Sequence, residues 1–424
     1  MRCFLICPNL QKRNSINDRS IESRLNEFIS LVEALQITDI VTTVTVNIDR
    51  IKSGIFFGSG KLEELKSLII SQNIELVLID ATLSPMQQRN LELIIKTKVI
   101  DRTGLILEIF GSRAQTREGV LQVELAHLQY QKSRLVRSWT HLERQKGGVG
   151  FLGGPGETQI ESDRRVIAEK IVSIKKMLKK VIQTRSLHRQ RRKKNNIPIV
   201  SLIGYTNSGK SSIFNLLTSA NVCAQNMLFA TLDPTMRYIK LLAKKDILLS
   251  DTVGFISNLP TGLVSAFKGT LEEIVNADLI LHVKDISHPE HNLQAKDVEC
   301  VIEELDWSGR ARPQIIELYN KIDRLSESQL SSLKNKCRKL DSPIMISAKS
   351  GDGVQYLKNR ILKTFNPVSK TETIFLPFNQ SKIRAWLFNE NIVSEEKRLD
   401  NGFSLKVIWS NEQKYRYNQL VVLK

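Results

Sequence analysis

The chain has 424 residues, 41% of them hydrophobic, which is ordinary for a soluble protein and enough for two to four domains that each bury a core. Its 62 basic residues exceed its 44 acidic ones, and the net charge of +18 favours a polyanionic partner. No run reaches the ~18 apolar residues of a membrane span, the stretch Met1–Arg13 lacks the cleavage site and apolar core of a signal peptide, and the cysteines (Cys3, Cys7, Cys223, Cys300 and Cys337) form no CxxC pair, so reduced buried thiols in cytoplasm are expected rather than disulfides or a zinc site.

Residues 1–112 are expected to form an α/β domain. Arg2–Cys7 and Ile40–Ile48 read as strands, and Ile21, Leu25, Phe28, Ile29, Val32 and Leu35 mark one face of a helix between them. Lys61–Gln72 and Pro85–Ile95 read as helices, Glu75–Asp80 and Lys98–Asp101 as strands, an alternation that implies a small parallel sheet flanked by helices. Gly58-Ser59-Gly60-Lys61 imitates a phosphate loop, but no glycine stands five positions before Gly60 and Leu62 replaces the metal-binding hydroxyl. A glycine turn at the head of a helix is the better reading.

Residues 113–196 read as a two-helix arm. Leu121, Leu125, Leu128, Lys132, Leu135, Trp139 and Leu142 form one heptad seam, and Ile160, Arg164, Ile167, Ile171, Ile174, Leu178 and Val181 a second. Two such helices fold back as an antiparallel pair. Their connection, Gly147–Gly156, is dominated by glycine, which permits close approach to another surface at an entropic cost. It reads as a tip that reaches into a partner, with an inert surface loop as the alternative. The basic run Arg185–Lys194 and then Asn195-Asn196 are expected to serve as a linker.

Residues 197–366 form the expected nucleotide domain. After a buried strand, Ile199–Ile203, comes Gly204-Tyr205-Thr206-Asn207-Ser208-Gly209-Lys210-Ser211, a phosphate loop whose N–H groups and following helix N-terminus face an anion. Lys210 is expected to neutralise β- and γ-phosphate oxygens, and Ser211 to offer its hydroxyl to Mg²⁺. A second strand, Ile247–Ser250, ends at Asp251-Thr252-Val253-Gly254, where Asp251 backs the metal and Gly254 brings its N–H to the γ-phosphate. Asn320-Lys321-Ile322-Asp323 follows the strand Gln314–Tyr319, and Ser347-Ala348-Lys349 follows Ile344–Ile346. Asp323 pairs with guanine's ring N–H and exocyclic amine together, which selects GTP over ATP. Between these lies Phe229-Ala230-Thr231-Leu232-Asp233-Pro234-Thr235, a switch loop in which Thr231 is the expected ligand to Mg²⁺, with Thr235 the competitor. Phe255 stands where many GTPases place a water-orienting glutamine, so intrinsic hydrolysis should be slow and completed by a partner or an ion. Asn207 is a candidate ligand for K⁺, with a plain turn residue as the alternative. Residues 367–424 read as a small α+β domain, with strands at Thr373–Phe378, Ile392–Leu399 and Phe403–Ser410 and a helix at Ser381–Phe388.

These residues resemble the HflX family of GTPases. The likeness lies in Thr116-Arg117-Glu118 through Leu125, in Gly153–Gln159 through Asp163-Arg164-Arg165, and in Gly204–Ser211 with Phe229–Thr235. It implies binding of GTP and GDP, a two-helix arm whose glycine tip approaches the peptidyl transferase region of the large ribosomal subunit, and GTP-dependent splitting of stalled or idle ribosomes under stress. It further implies a cytoplasmic protein that can touch membranes peripherally, and a monomer is expected. Leu152-Gly153-Gly154 before Pro155 departs from the single glycine of the family pattern and loosens the tip. The rival reading, a GTPase module for ribosome assembly or RNA modification, needs a second catalytic constellation, and the six histidines are scattered.

Overall fold

In the computed structural model, strand β1 (Arg2–Leu10) is buried from Cys3 to Pro8 because it lies inside a sheet with neighbours on both edges. Helix α1 (Ile21–Glu33) follows, capped by the Ser20 hydroxyl, and leads to edge strand β2 (Asp39–Ile48). Then come α2 (Ser59–Ser71), β3 (Leu76–Ile79), α3 (Pro85–Ile95), β4 (Lys98–Asp101) and α4 (Arg102–Arg113). Gly58 occupies the N-cap of α2, the helix-heading turn expected of it. The sheet order is β2-β1-β3-β4, parallel throughout. Successive β1 residues face opposite ways. Phe4 and Ile6 join α2 and α3 in one core, while Cys3 and Leu5 join α1 and α4 in another. Among the described cysteines, Cys3 and Cys7 are buried and free, whereas Cys300 is free and exposed, against the expectation of burial.

The structure describes residues 1–10, 19–36, 39–145, 159–194, 197–218, 227–240, 246–257, 268–307, 309, 311–336, 342–365, 370–390, 392–409 and 411–422. The glycine-rich tip and the Asn195-Asn196 linker lie outside the described residues.

The arm consists of α5 (Arg117–Gln145) and α6 (Gln159–Lys194). The predicted seams meet at their base, where Leu121, Ile174 and Leu178 are buried and Leu125, Leu128 and Val181 pack around them. The basic run does not form a linker: it continues α6 to Lys194. Lys, Arg and Gln are good helix formers, and no glycine or proline interrupts them. Asp101, fully buried, ties this arm to the first sheet. Its carboxylate caps α4 through Gly104 N (2.8 Å) and accepts from Leu83 N (3.1 Å), Tyr130 Oη (2.7 Å) and Arg134 Nη2 (2.8 Å).

The second sheet is built from β5 (Ile199–Gly204), followed by α7 (Lys210–Thr218), then β6 (Thr235–Lys240), β7 (Asp246–Asp251), α8 (Lys268–Val275), β8 (Leu279–Asp285), α9 (His291–Glu303), β9 (Gln314–Asn320), α10 (Glu327–Lys336) and β10 (Ile344–Met345). Its order is β10-β9-β8-β5-β7-β6, parallel except for the β6–β7 pair. β6, β8, α4, α8, α9 and α10 had no sequence assignment. One core unites the two sheets' helices: Phe28, Val32, Ile109 and Phe110 share it with Phe229, Leu232, Phe255, Ile274 and Val298.

The chain divides into two compact units, Met1–Lys240 with Asp246–Asp352, and Leu241–Lys245 with Gly353–Lys424. The second contains α11 (Val354–Phe365), β11 (Lys370–Pro377), α12 (Ser381–Asn389), β12 (Val393–Leu399), β13 (Gly402–Trp409) and α13 (Asn411–Val422). Its antiparallel sheet, ordered β11-β13-β12, buries Leu376, Leu405, Val407 and Trp409 against Ile383 and Leu387 of α12. No helix among the described residues is long and apolar enough to cross a membrane.

The burial of Asp101 has a measurable consequence. Asp101→Ala strands an arginine and a tyrosine and should lower stability by about 3–5 kcal/mol in denaturant unfolding. Lys61→Ala, which breaks only a surface pair with Glu64, should cost less than about 1 kcal/mol in the same measurement.

Candidate active site

The site forms at the carboxyl ends of β5, β7 and β9, where an open parallel sheet leaves loops free to converge. The loop after β5 is zipped to the segment after β7: Thr206 N donates to Phe255 O at 2.7 Å and Phe255 N to Gly204 O at 3.1 Å. Thr206, Asn207, Gly209, Lys210 and Ser211 line a cavity with Phe229, Ala230, Thr231, Thr252 and Gly254. Lys210 is buried, and its Nζ donates to Gly204 O (3.1 Å) and Tyr205 O (2.7 Å). Burial pushes its ammonium down to about 8, a penalty that an adjacent anion relieves.

Opposite Lys210, three oxygens gather. Ser211 Oγ lies 2.7 Å from Asp251 Oδ2 and 2.8 Å from Thr231 Oγ1, and Thr231 Oγ1 is 3.1 Å from the same carboxylate oxygen. Burial pushes the Asp251 carboxyl up, although Ser211 and Lys210 oppose it. Its Oδ1 is buried without a hydrogen-bond partner among the described residues, as are Thr206 Oγ1 and Ser208 Oγ. Thr235, the competitor to Thr231, opens β6 in register with Asp251 and does not line this cavity. Gly254 leaves no room for a side chain: a Cβ there meets Thr206 Cα at 2.8 Å and Lys210 Nζ at 3.0 Å. Thr252 and Val253 are buried, with the Thr252 hydroxyl bonded to Leu202 O at 2.6 Å.

The base-side residues converge from two loops. Asn320 is buried and staples them, donating from Nδ2 to Ser208 O (2.8 Å) and accepting at Oδ1 from Ala348 N (3.1 Å). Lys321, in the left-handed region, donates to Asn207 O (2.8 Å) and Asp285 Oδ2 (2.6 Å). Asp323 is exposed beside Ile322, and the Ser347 hydroxyl, 2.6 Å away, holds its carboxyl below the usual range. Lys349 is exposed on the same loop.

Three residues of the switch loop also make contacts outside the cavity. Phe229 borders the cavity, yet its ring packs edge-on against Phe110 of α4, with centroids 4.8 Å apart. Leu232 is buried in the shared core. The Asp233 carboxylate serves Gln115 and Thr116 at the start of α5 rather than the nucleotide cavity. Sequence reasoning also missed Glu27, Arg102 and Ser257. Tyr205 Oη donates to Glu27 and accepts from Ser257 N (2.8 Å), and Arg102 Nη2 bonds Glu27 Oε1 at 2.5 Å. No motif marks these positions, since each acts across a domain boundary.

Proteins that seat a triphosphate at the middle of such a sheet and a guanine at its end are P-loop GTPases, and this chain is one. Family models match residues 22–111 as the GTP-binding GTPase N-terminal region, 113–192 as the GTP-binding GTPase middle region, 199–321 as a 50S ribosome-binding GTPase and 332–418 as the HflX C-terminal domain. The GTPase HflX of Magnetococcus marinus is 48% identical over 369 residues, 87% of this chain and 84% of that one. The GTPase HflX of Escherichia coli is 41% identical over 385 residues, 91% and 89% of the two chains. The crystal structure of SsGBP with GDP is similar over 86% of this chain and 98% of that chain, at 25% identity and a TM-score of 0.48. The chain belongs to the HflX family of GTPases, and it hydrolyses GTP.

Asn320→Ala removes both arms of the staple. With two buried hydrogen bonds of ~1 kcal/mol each, GDP affinity should fall by about 30-fold in a titration of labelled nucleotide.

Proposed function

We propose that this GTPase binds the large ribosomal subunit and uses its GTP-bound state to separate stalled or idle ribosomes during stress, as a cytoplasmic monomer. The observation that carries the reading is the match of residues 199–321 to a 50S ribosome-binding GTPase. The net charge of +18 supports it, since contacts with RNA phosphates release counterions. So does the arm, whose helices of 29 and 36 residues span about 43 and 54 Å.

In this reading Lys210 donates to β- and γ-phosphate oxygens, Gly254 N–H faces the γ-phosphate, and Asp323 with Ala348 N–H recognises guanine. Ser211 and Thr231 hold Mg²⁺ with Asp251 behind them. The gathering of two hydroxyls and Asp251 Oδ2, beside the buried and unpartnered Asp251 Oδ1, fits a small hard cation. Mg²⁺ bound there neutralises charge on the transferring phosphate. Phe255 is buried in the core and offers no acceptor to orient a water, so intrinsic turnover is slow and a partner completes the site.

Saturating large subunits should accelerate GTP turnover at least about tenfold at low salt, with the gain shrinking as salt rises. Sedimentation with a non-hydrolysable analogue should show 70S particles converting to subunits that retain the protein. An unchanged rate at low salt defeats the reading. Separately, Asn207 is exposed in the left-handed region at the lip of the cavity, where a K⁺ ligand could do the work of an arginine finger. Turnover should therefore be faster in K⁺ than in Na⁺, and Asn207→Ala should erase the difference. Equal rates in the two salts for the unaltered chain rule the ion out.

A further inference from the structure

Two residues beyond Thr231, the switch loop reaches a different element. Asp233 accepts hydrogen bonds from Gln115 N at 2.9 Å, Thr116 N at 2.7 Å and Thr116 Oγ1 at 2.6 Å. Thr116 Oγ1 in turn accepts from Gly119 N at 3.0 Å, so the hydroxyl that caps α5 is itself oriented by Asp233. The carboxylate also lies at the positive end of a helix of 29 residues. The approach is close enough to dictate a residue type: a Cβ on Gly119 would come within 2.2 Å of Asp233 Oδ1. In the opposite direction, Leu232 is buried, and Thr231 Oγ1 meets Ser211 and Asp251. Little slack remains between the arm's first turn and the phosphate site.

We propose that Asp233 is a positioning residue for GTP hydrolysis: gripped by the first turn of the arm, it holds Thr231 in place for the triphosphate. Coupling between sites is reciprocal. The occupant of the phosphate site therefore biases the arm, and a load on the arm reaches Thr231. This second half rests on the reading of the arm as the element that docks on the ribosome.

The test uses the full chain and the variants Asp233→Asn, Thr116→Val and Gly119→Ala. The last displaces the carboxylate without touching any group that lines the phosphate cavity. Affinities for GDP and for a non-hydrolysable GTP analogue are measured in Mg²⁺, and turnover is measured with and without large subunits. On the proposed reading Thr231 serves the triphosphate state alone. Analogue affinity should therefore fall about tenfold, the scale of one hydrogen bond to a charged group, while GDP affinity holds. Subunit stimulation should fall with it. A parallel loss of both affinities indicates general loosening of the fold and overturns the proposal, as does an unchanged ratio. If Gly119→Ala fails to fold, Thr116→Val carries the comparison. An unaltered chain indifferent to subunits defeats the ribosome reading alone, because the affinity ratio still decides the role of Asp233. If the unaltered chain is stimulated and the variants equally so, the link to the arm is wrong.

Discussion

The ring of Phe229 packs edge-on against Phe110, and this contact joins the switch loop to a helix of the first domain. Phe229 has a φ of +56°, a conformation that costs an L-residue about 1–2 kcal/mol. Burying the phenyl group returns about 1.5–3 kcal/mol, so the strained backbone persists only while Phe110 is there to receive the ring. Phe255 and Ile256, just after Gly254, enter the same core. Both loops that line the phosphate cavity are therefore set by apolar burial against helices α1 and α4. The first domain is part of the nucleotide site's construction, although none of its described residues lines the phosphate cavity.

A polar cluster fixes what the apolar core only gathers. Burial alone would drive the Glu27 carboxyl up, but Arg102, Tyr205 and Arg19 outweigh it and hold it below its usual range. Burial and then Glu27 push the Tyr205 hydroxyl upward, so it remains a donor. Ser257 is bound from three directions, by Tyr205 Oη, Glu27 and Arg102. Ion pairs this deep add little net stability, because desolvation offsets much of the attraction. Their effect is on register. Tyr205 of the phosphate loop and Ser257 beyond Gly254 share one carboxylate, so neither loop shifts without disturbing the other.

What the sequence revealed was local. The phosphate loop, the Asp251 turn and the Asn320–Asp323 segment each carry their chemistry within a few residues, and the strands before them are short apolar runs. The heptad seams were legible, as their described base shows, because their period repeats. Helix α4 was not, since Gly104 and Gly111 interrupt its pattern. Gly104 is dictated by its neighbours: a Cβ there would meet Ile100 Cγ2 at 2.9 Å and the Tyr130 hydroxyl at 3.0 Å. The contacts of Asp233 were hidden for a related reason: within the switch loop its neighbours give no sign of them, and its partners stand 117 and 118 residues earlier in the chain. Thr116 followed three residues later by Gly119 was the available signal, a helix cap with a side chain missing where a neighbour must fit.

The choice between Thr231 and Thr235 shows why the switch has the bounds it does. Thr235 is paired with Asp251 in an antiparallel ladder that runs on to Lys240 and Asp246. Any movement of Thr235 would have to break ladder bonds, and the strand would follow. Thr231 belongs to no ladder. It is held by Phe229 on one side, and on the other by Leu232 and Asp233, through side chains alone. Anchors of that kind release one at a time at a cost of a few kcal/mol, within reach of what one phosphate group supplies by binding one state better than the other. The stretch that carries Thr231 thus lies between a ring in the core and the first rung of β6. On the proposed reading, withdrawing the Thr231 hydroxyl from Ser211 and Asp251 would pull on the contacts that Asp233 makes at the arm's first turn.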